Sequence, residues 1–120
     1  MSEVIGKQSF DRNTAMYSHV VVRADLSPAQ QVVQAIHAGM SVTAQYGGLQ
    51  EDTRLVLLSV KDQQELSELA GKLESNQIPF SMFHEPDYGV GYSALATPPD
   101  VLKNRKAFKK LKLWELMPQS

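Results

Sequence analysis

The sequence predicts one α/β domain, a four-stranded mixed β-sheet with helices on both faces. Three observations predict it. Short apolar runs recur at residues 19–23 (HVVVR), 54–60 (RLVLLSV), 80–83 (FSMF) and 92–96 (YSALA). Two stretches with helical period and clear start signals separate the first three runs. Only a short, turn-rich loop separates the last two. Two β-α-β units would supply the parallel pairs, and the short last connection an antiparallel one.

Composition bounds the reading. At 120 residues, with 42% hydrophobic and 21% charged residues, the chain is the size of one ordinary globular domain. Cysteine is absent, which removes disulfides, thiolate nucleophiles and cysteine metal sites. No run approaches a membrane span, and the first residues carry no apolar leader segment, so a cytoplasmic location without membrane contact is expected. The net charge of −1 does not by itself advertise a polyanion partner.

Residues 1–18 are mixed and polar, with Phe10, Met16 and Tyr17 as scattered apolar anchors, and read as an N-terminal arm. The domain spans 19–120. Three consecutive valines mark its first strand as central and buried on both faces. Arg23 and Asp25 follow at the carboxyl end, where open α/β sheets place ligands.

Ser27-Pro28 then starts a helix, serine as cap and proline at the first helical position, and Gly47-Gly48 ends it after Tyr46. Ala29, Val32, Val33, Ile36, Met40 and Thr43 share one side at about 100° per residue, and this stripe reads as the core face. Gln30, Gln34, His37 and Ser41 form a second stripe, uncharged but rich in hydrogen-bonding groups. It reads either as a polar side next to another element or as a cleft wall.

Asp62 and Glu65 have capping-box spacing for a second helix, whose stripe is Leu66, Leu69, Ala70 and Leu73. Asn76 suits a left-handed terminus, and Pro79 forbids continuation. The loop HEPDYGVG over 84–91 carries two carboxylates and a histidine among turn formers.

The C-terminal part differs in charge. Residues 97–120 hold six basic and two acidic side chains, whereas the preceding 96 hold six basic and eleven acidic. Lys103, Arg105, Lys106, Lys109, Lys110 and Lys112 read as a solvated helix face or as contacts to a phosphate backbone. Phe108, Leu111, Leu113 and Trp114 would pin the segment to the body.

The chain has no P-loop, no GxGxxG and no serine elbow. His19, His37 and His84 lack ligand spacing, so neither a metal nor a cofactor is expected. What remains is a meeting point at one sheet edge. There Glu85 or Asp87 would orient a water, Ser93 would hold a substrate carbonyl or phosphate, and His37 would serve as donor or base.

The stretch VVVRADLSPAQQVVQAIHAG resembles the opening of the archaeal/eukaryotic-type peptidyl-tRNA hydrolases. That family has a strand, Arg-x-Asp-Leu, and a helix with Gln-x-x-His-Ala, matched here by Arg23, Asp25, Leu26, Gln34, His37 and Ala38. IPFSMFHEPD and YSALATPP are similar to its third strand, acidic loop and final strand. The resemblance covers residues 19–113. It implies a four-stranded mixed sheet with helices on both faces, often a homodimer, and hydrolysis of the ester joining a peptide or amino acid to the tRNA 3′ end.

Of the family's site residues, the lysine falls on Gln30, the aspartate on Glu85 or Asp87, and the threonine on Ser93. The resemblance thus implies Glu85, Asp87, Ser93 and His37 as catalytic residues. Arg23, Asp25, Gln30, Gln34, Lys109 and Lys110 are the expected substrate contacts. Gln30 brings no positive charge, so a non-catalytic binding module for tRNA or another RNA is the second expectation. A small homodimer holding an unrelated small ligand is the third.

Overall fold

The computed structural model describes residues 16–47, 53–100 and 106–115. The expected N-terminal arm, through residue 15, lies outside the described residues, as do Lys103 and Arg105.

The elements follow in chain order as β1 (Tyr17–Arg23), α1 (Pro28–Tyr46), β2 (Arg54–Val60), α2 (Gln63–Ser75), β3 (Ser81–Glu85), β4 (Gly91–Ala96) and β5 (Lys112–Leu113). The fold is α/β with a mixed sheet and one described helix on each face. The sheet has five strands, in the order β3-β4-β1-β2-β5, rather than four. The added strand comes from the basic C-terminal stretch. Leu58 pairs with Leu113 and Ser59 with Lys112, and Trp114 N–H donates to the Leu57 carbonyl at 3.0 Å. Residues that alternate as Lys-Leu-Trp extend an open sheet edge more readily than they cap a helix.

The triple-valine strand is central, as its unbroken apolar run predicts. It pairs parallel with β2 and antiparallel with β4. Among the described residues only one hydrogen-bonded parallel pair forms, where two were expected. β4 inserts between β1 and β3, so β3 runs in the same direction as β1 without pairing with it.

Both helix starts follow the sequence. Ser27 accepts the Gln30 N–H, with Pro28 at the first helical position. Asp62 accepts the Glu65 N–H at 3.0 Å, while Glu65 reaches back to the Lys61 N–H at 2.7 Å, one residue earlier than the usual reciprocal bond. At the end of α2 the left-handed residue is Gln77 (φ 59°), not Asn76 (φ −96°).

Two cores flank the sheet. On the α2 side lie Leu66, Leu69 and Leu73 with Val21, Leu58, Leu95 and Phe108. The α1 side is thinner: Val22, Ala38, Val42, Ala94 and Ala96. Here the structure corrects the sequence. The residues of α1 buried against the sheet are Gln31, Gln34, Ala38 and Val42. The stripe expected to be core, Val32, Val33, Ile36 and Met40, faces outward. The helix is therefore turned by roughly half a revolution from the orientation its apolar period predicts. The cause is polar. Gln31 donates to the Ala24 and Leu26 carbonyls and accepts from the Trp114 indole at 2.7 Å. Gln34 is likewise fully bonded. Satisfied amides bury at little cost, and the small Ala94 and Ala96 below let the helix approach closely.

Candidate functional site

The site lies at the carboxyl ends of β1 and β3, beside the first two turns of α1. Its centre is Gln34, which has no solvent exposure. The amide donates from Nε2 to Glu85 Oε1 at 2.8 Å and to Gln30 Oε1 at 2.9 Å. Its Oε1 accepts the Ser93 hydroxyl at 2.6 Å. A carboxylate only accepts and a hydroxyl must rotate to suit, so the orientation of the Gln34 amide is determined by its partners.

A β-bulge puts Ser93 there. Phe83 opposes Ala94, but the next pair is His84 with Tyr92, so Ser93 has no partner across the ladder. Regular alternation would send Ser93 to the α2 side with Leu95. The extra residue turns it toward the α1 side with Ala94. Ser93, expected to hold a substrate carbonyl or phosphate, is fully buried and donates its hydroxyl to Gln34. It positions Gln34, and Gln34 positions Glu85.

Glu85 ends β3 on the α1 face and is partly exposed. Besides Gln34, it accepts the Asp87 N–H on Oε2 at 3.3 Å. The Gln34 hydrogen bond and then the Asp87 N–H hold its carboxyl below its ordinary value; desolvation opposes them, and the nearby His37 and His84 add lesser lowering effects. Glu85 joins the network by its side chain, and Asp87 by its backbone alone.

His37 lies flat on Phe83, with ring centroids 4.4 Å apart and planes 2° from parallel, and its outer side is exposed. Phe83 was not singled out from the sequence; its place two residues before Glu85 on the same strand face was the available signal. Behind the site, Arg23 forms a two-pronged ion pair with Asp25, both contacts at 2.9 Å. Its remaining nitrogen donates to the Val90 and Tyr92 carbonyls at 2.6 and 3.0 Å. Arg23, paired with Asp25, thereby ties the loop that follows Glu85 to the end of β1. In that loop Tyr88 is 91% exposed and adopts φ 57°, a conformation unusual for a bulky residue.

Four of the expected residues, Gln30, Gln34, Glu85 and Ser93, thus form one hydrogen-bonded chain, with His37 and Asp87 at its rim. Lys109 and Lys110 do not join them. Both are exposed and follow Phe108, whose ring stacks on His19 within the α2-side core. No cluster of metal-ligating side chains occurs among the described residues. None of the described helices is long and apolar enough to cross a membrane.

Among solved structures, the chain is similar to a protein of unknown function from Agrobacterium tumefaciens strain C58, Atu0240. The TM-score is 0.66 at 16% identity, over 83% of this chain and 98% of the other. That likeness concerns the fold alone. No family model and no curated protein matches the chain.

Proposed function

We propose that the protein hydrolyses the ester linking a peptidyl or aminoacyl group to the 3′ end of tRNA, with Glu85 orienting the attacking water. The observation that carries this reading is the Ser93–Gln34–Glu85 chain. It holds one ionised carboxylate at a partly open sheet edge through two buried side chains, Gln34 and Ser93. In the reaction, water adds to the ester carbonyl carbon while Glu85 accepts its hydrogen bond. The tetrahedral intermediate then expels the ribose oxygen, which leaves with one of the water's protons, and the acid formed releases the other to solvent, giving a free carboxylate and a tRNA hydroxyl. Because the Glu85 carboxyl is held low, it is a weak base; its contribution is orientation and charge. The amide NH2 of Gln30, whose oxygen is occupied by Gln34, is the donor available for the carbonyl oxygen. The resemblance of residues 20–39, 78–87 and 92–99 to the peptidyl-tRNA hydrolases supports the substrate class.

The test is release of labelled acyl group from an N-blocked aminoacyl-tRNA by the pure protein. Expected are turnover above buffer, a loss of about 10²-fold or more in Glu85→Gln, and a gain in Gln30→Lys, since one correctly placed donor is worth roughly that much. No release above buffer, or equal rates for the wild type and Glu85→Gln, would falsify the hydrolase reading.

The neutrality of Gln30 favours a second reading, retention of tRNA without cleavage. It predicts salt-dependent binding of tRNA that Glu85→Gln preserves while no acyl group is released.

A further inference from the structure

We infer that His37, laid flat on Phe83, is a stacking platform for the base of the nucleotide that carries the ester. The inference rests on the hydrolase reading above and names the part of the substrate that this side of the site takes. The two ring centroids are 4.4 Å apart and the planes 2° from parallel. Phe83 is half-buried and packs against the α1-side core, so the imidazole has a fixed backing. His37 itself is exposed. With one ring face taken by Phe83, the other is the face open to solvent. Nucleobases stack on His, Phe, Tyr and Trp side chains because every base has a π-face. A third flat ring on His37 would continue the stack that Phe83 begins.

Position selects the ligand. His37 follows Gln34 by one helical turn, and Phe83 precedes Glu85 by two residues on the same strand face. Gln34 and Glu85 are bonded to each other at 2.8 Å. The ring stack therefore lies beside the carboxylate, about 5–7 Å along the helix and along the strand. In an ester at the 3′ end of tRNA, a single ribose separates the acyl group from adenine, and the platform and Glu85 are spaced to take one each. The surroundings are neutral. Across its 19 residues α1 contains no Asp, Glu, Lys or Arg, so a phosphate finds no cation on this helix. An uncharged base meets apolar neighbours instead. Val33 and Met40, 44% and 66% exposed, stand one turn before and one turn after His37 on the same side of the helix. The sequence offers His37 as a donor or base; the platform uses its ring face rather than its nitrogens, which makes the two roles separable.

The test is an NMR titration of the full chain with adenosine 5′-monophosphate. Stacking should move the His37 ring protons upfield, with binding in about the millimolar range. Ribose 5-phosphate, which lacks the base, should leave them in place. His37→Asn keeps a polar side chain and removes the ring. It should weaken binding of the nucleotide, read from the Phe83 and Glu85 amides, by about tenfold. His37→Phe keeps a ring and removes both nitrogens, and it should restore binding. With N-blocked aminoacyl-tRNA as substrate, KM should rise about tenfold in His37→Asn and return in His37→Phe. A ring-proton shift in a protein that releases no acyl group supports the platform and ends only the hydrolase reading. Three results overturn the platform, whether or not the ester is cleaved. The first is no ring-proton shift at any concentration to which the nucleotide dissolves. The second is a shift with N-acetylphenylalanine amide but not with the nucleotide, which assigns the ring to the acyl group. The third is a His37→Asn variant that binds as well as His37→Phe or better, which makes a nitrogen the working atom.

Discussion

Gln34 Nε2 donates to Glu85 Oε1 at 2.8 Å across 51 positions of sequence, and this bond joins the first helix to the end of the third strand. It is the largest reason the Glu85 carboxyl is held low. In Gln34→Met, which keeps length but removes the donor, the Glu85 titration midpoint should rise toward the ordinary value. Side-chain carboxyl NMR reads this directly. The sign for stability follows. A carboxyl whose folded pKa is depressed stabilises the fold above its unfolded value, about pH 4.3, and loses that contribution as pH falls through the folded value. The stability advantage of wild type over Glu85→Gln should therefore be complete at neutral pH and vanish in acid. An advantage independent of pH would contradict the assignment.

Ser93→Ala removes the hydroxyl that satisfies Gln34 Oε1 and leaves a buried acceptor alone. The expected cost is about 1–3 kcal/mol in urea unfolding, with an unchanged m-value. Because Ser93 acts through Gln34, the variant should also raise the Glu85 titration midpoint by less than Gln34→Met does.

Arg23→Lys replaces a planar fork by a point charge. The two bonds to Asp25 and those to Val90 and Tyr92 cannot all be kept. The loop after Glu85 should open more often, and the Val90 amide, which donates to the Asp87 carbonyl, should exchange about tenfold faster. Unchanged exchange would show that the clamp does not hold the loop.

Gly91→Ala should destabilise by about 2 kcal/mol. Gly91 adopts φ 75°, which costs an L-residue roughly 1–2 kcal/mol. An added Cβ also meets the Gln63 side chain, which accepts the Tyr92 N–H at 2.7 Å. Chemical denaturation measures the loss. Gly71→Ala, in α2 with open space at the Cβ position, should instead stabilise slightly.

Much of the fold was legible. Ser27-Pro28 and Asp62 marked both helix starts, and Gly47 marked the end of the first helix. The β2 boundaries agree with its apolar run. These signals are local: a cap, a fixed φ or a run of β-branched residues acts within a few positions. Strand order was less legible. Nothing in 91–96 says that β4 would pair with β1 as well as β3. The placement of Gln30, Gln34, Glu85 and Ser93 near one another was legible through their helical spacing and the sheet edge, but their roles were not. Ser93 and Gln34 look like substrate contacts in the sequence, and only the fold shows that both are buried.

The sequence by itself determined the α/β class, the helix starts, the central valine strand and the carboxylates of the 84–91 loop, because each rests on short-range sterics and hydrogen bonding. Only the tertiary structure decided which face of α1 is inside. Two stripes compete on that helix, and the apolar one wins on hydrophobicity alone. Glutamine amides go inward here because Ser93, Glu85, Trp114 and two carbonyls near the end of β1 meet them with partners, and each of those lies elsewhere in the chain.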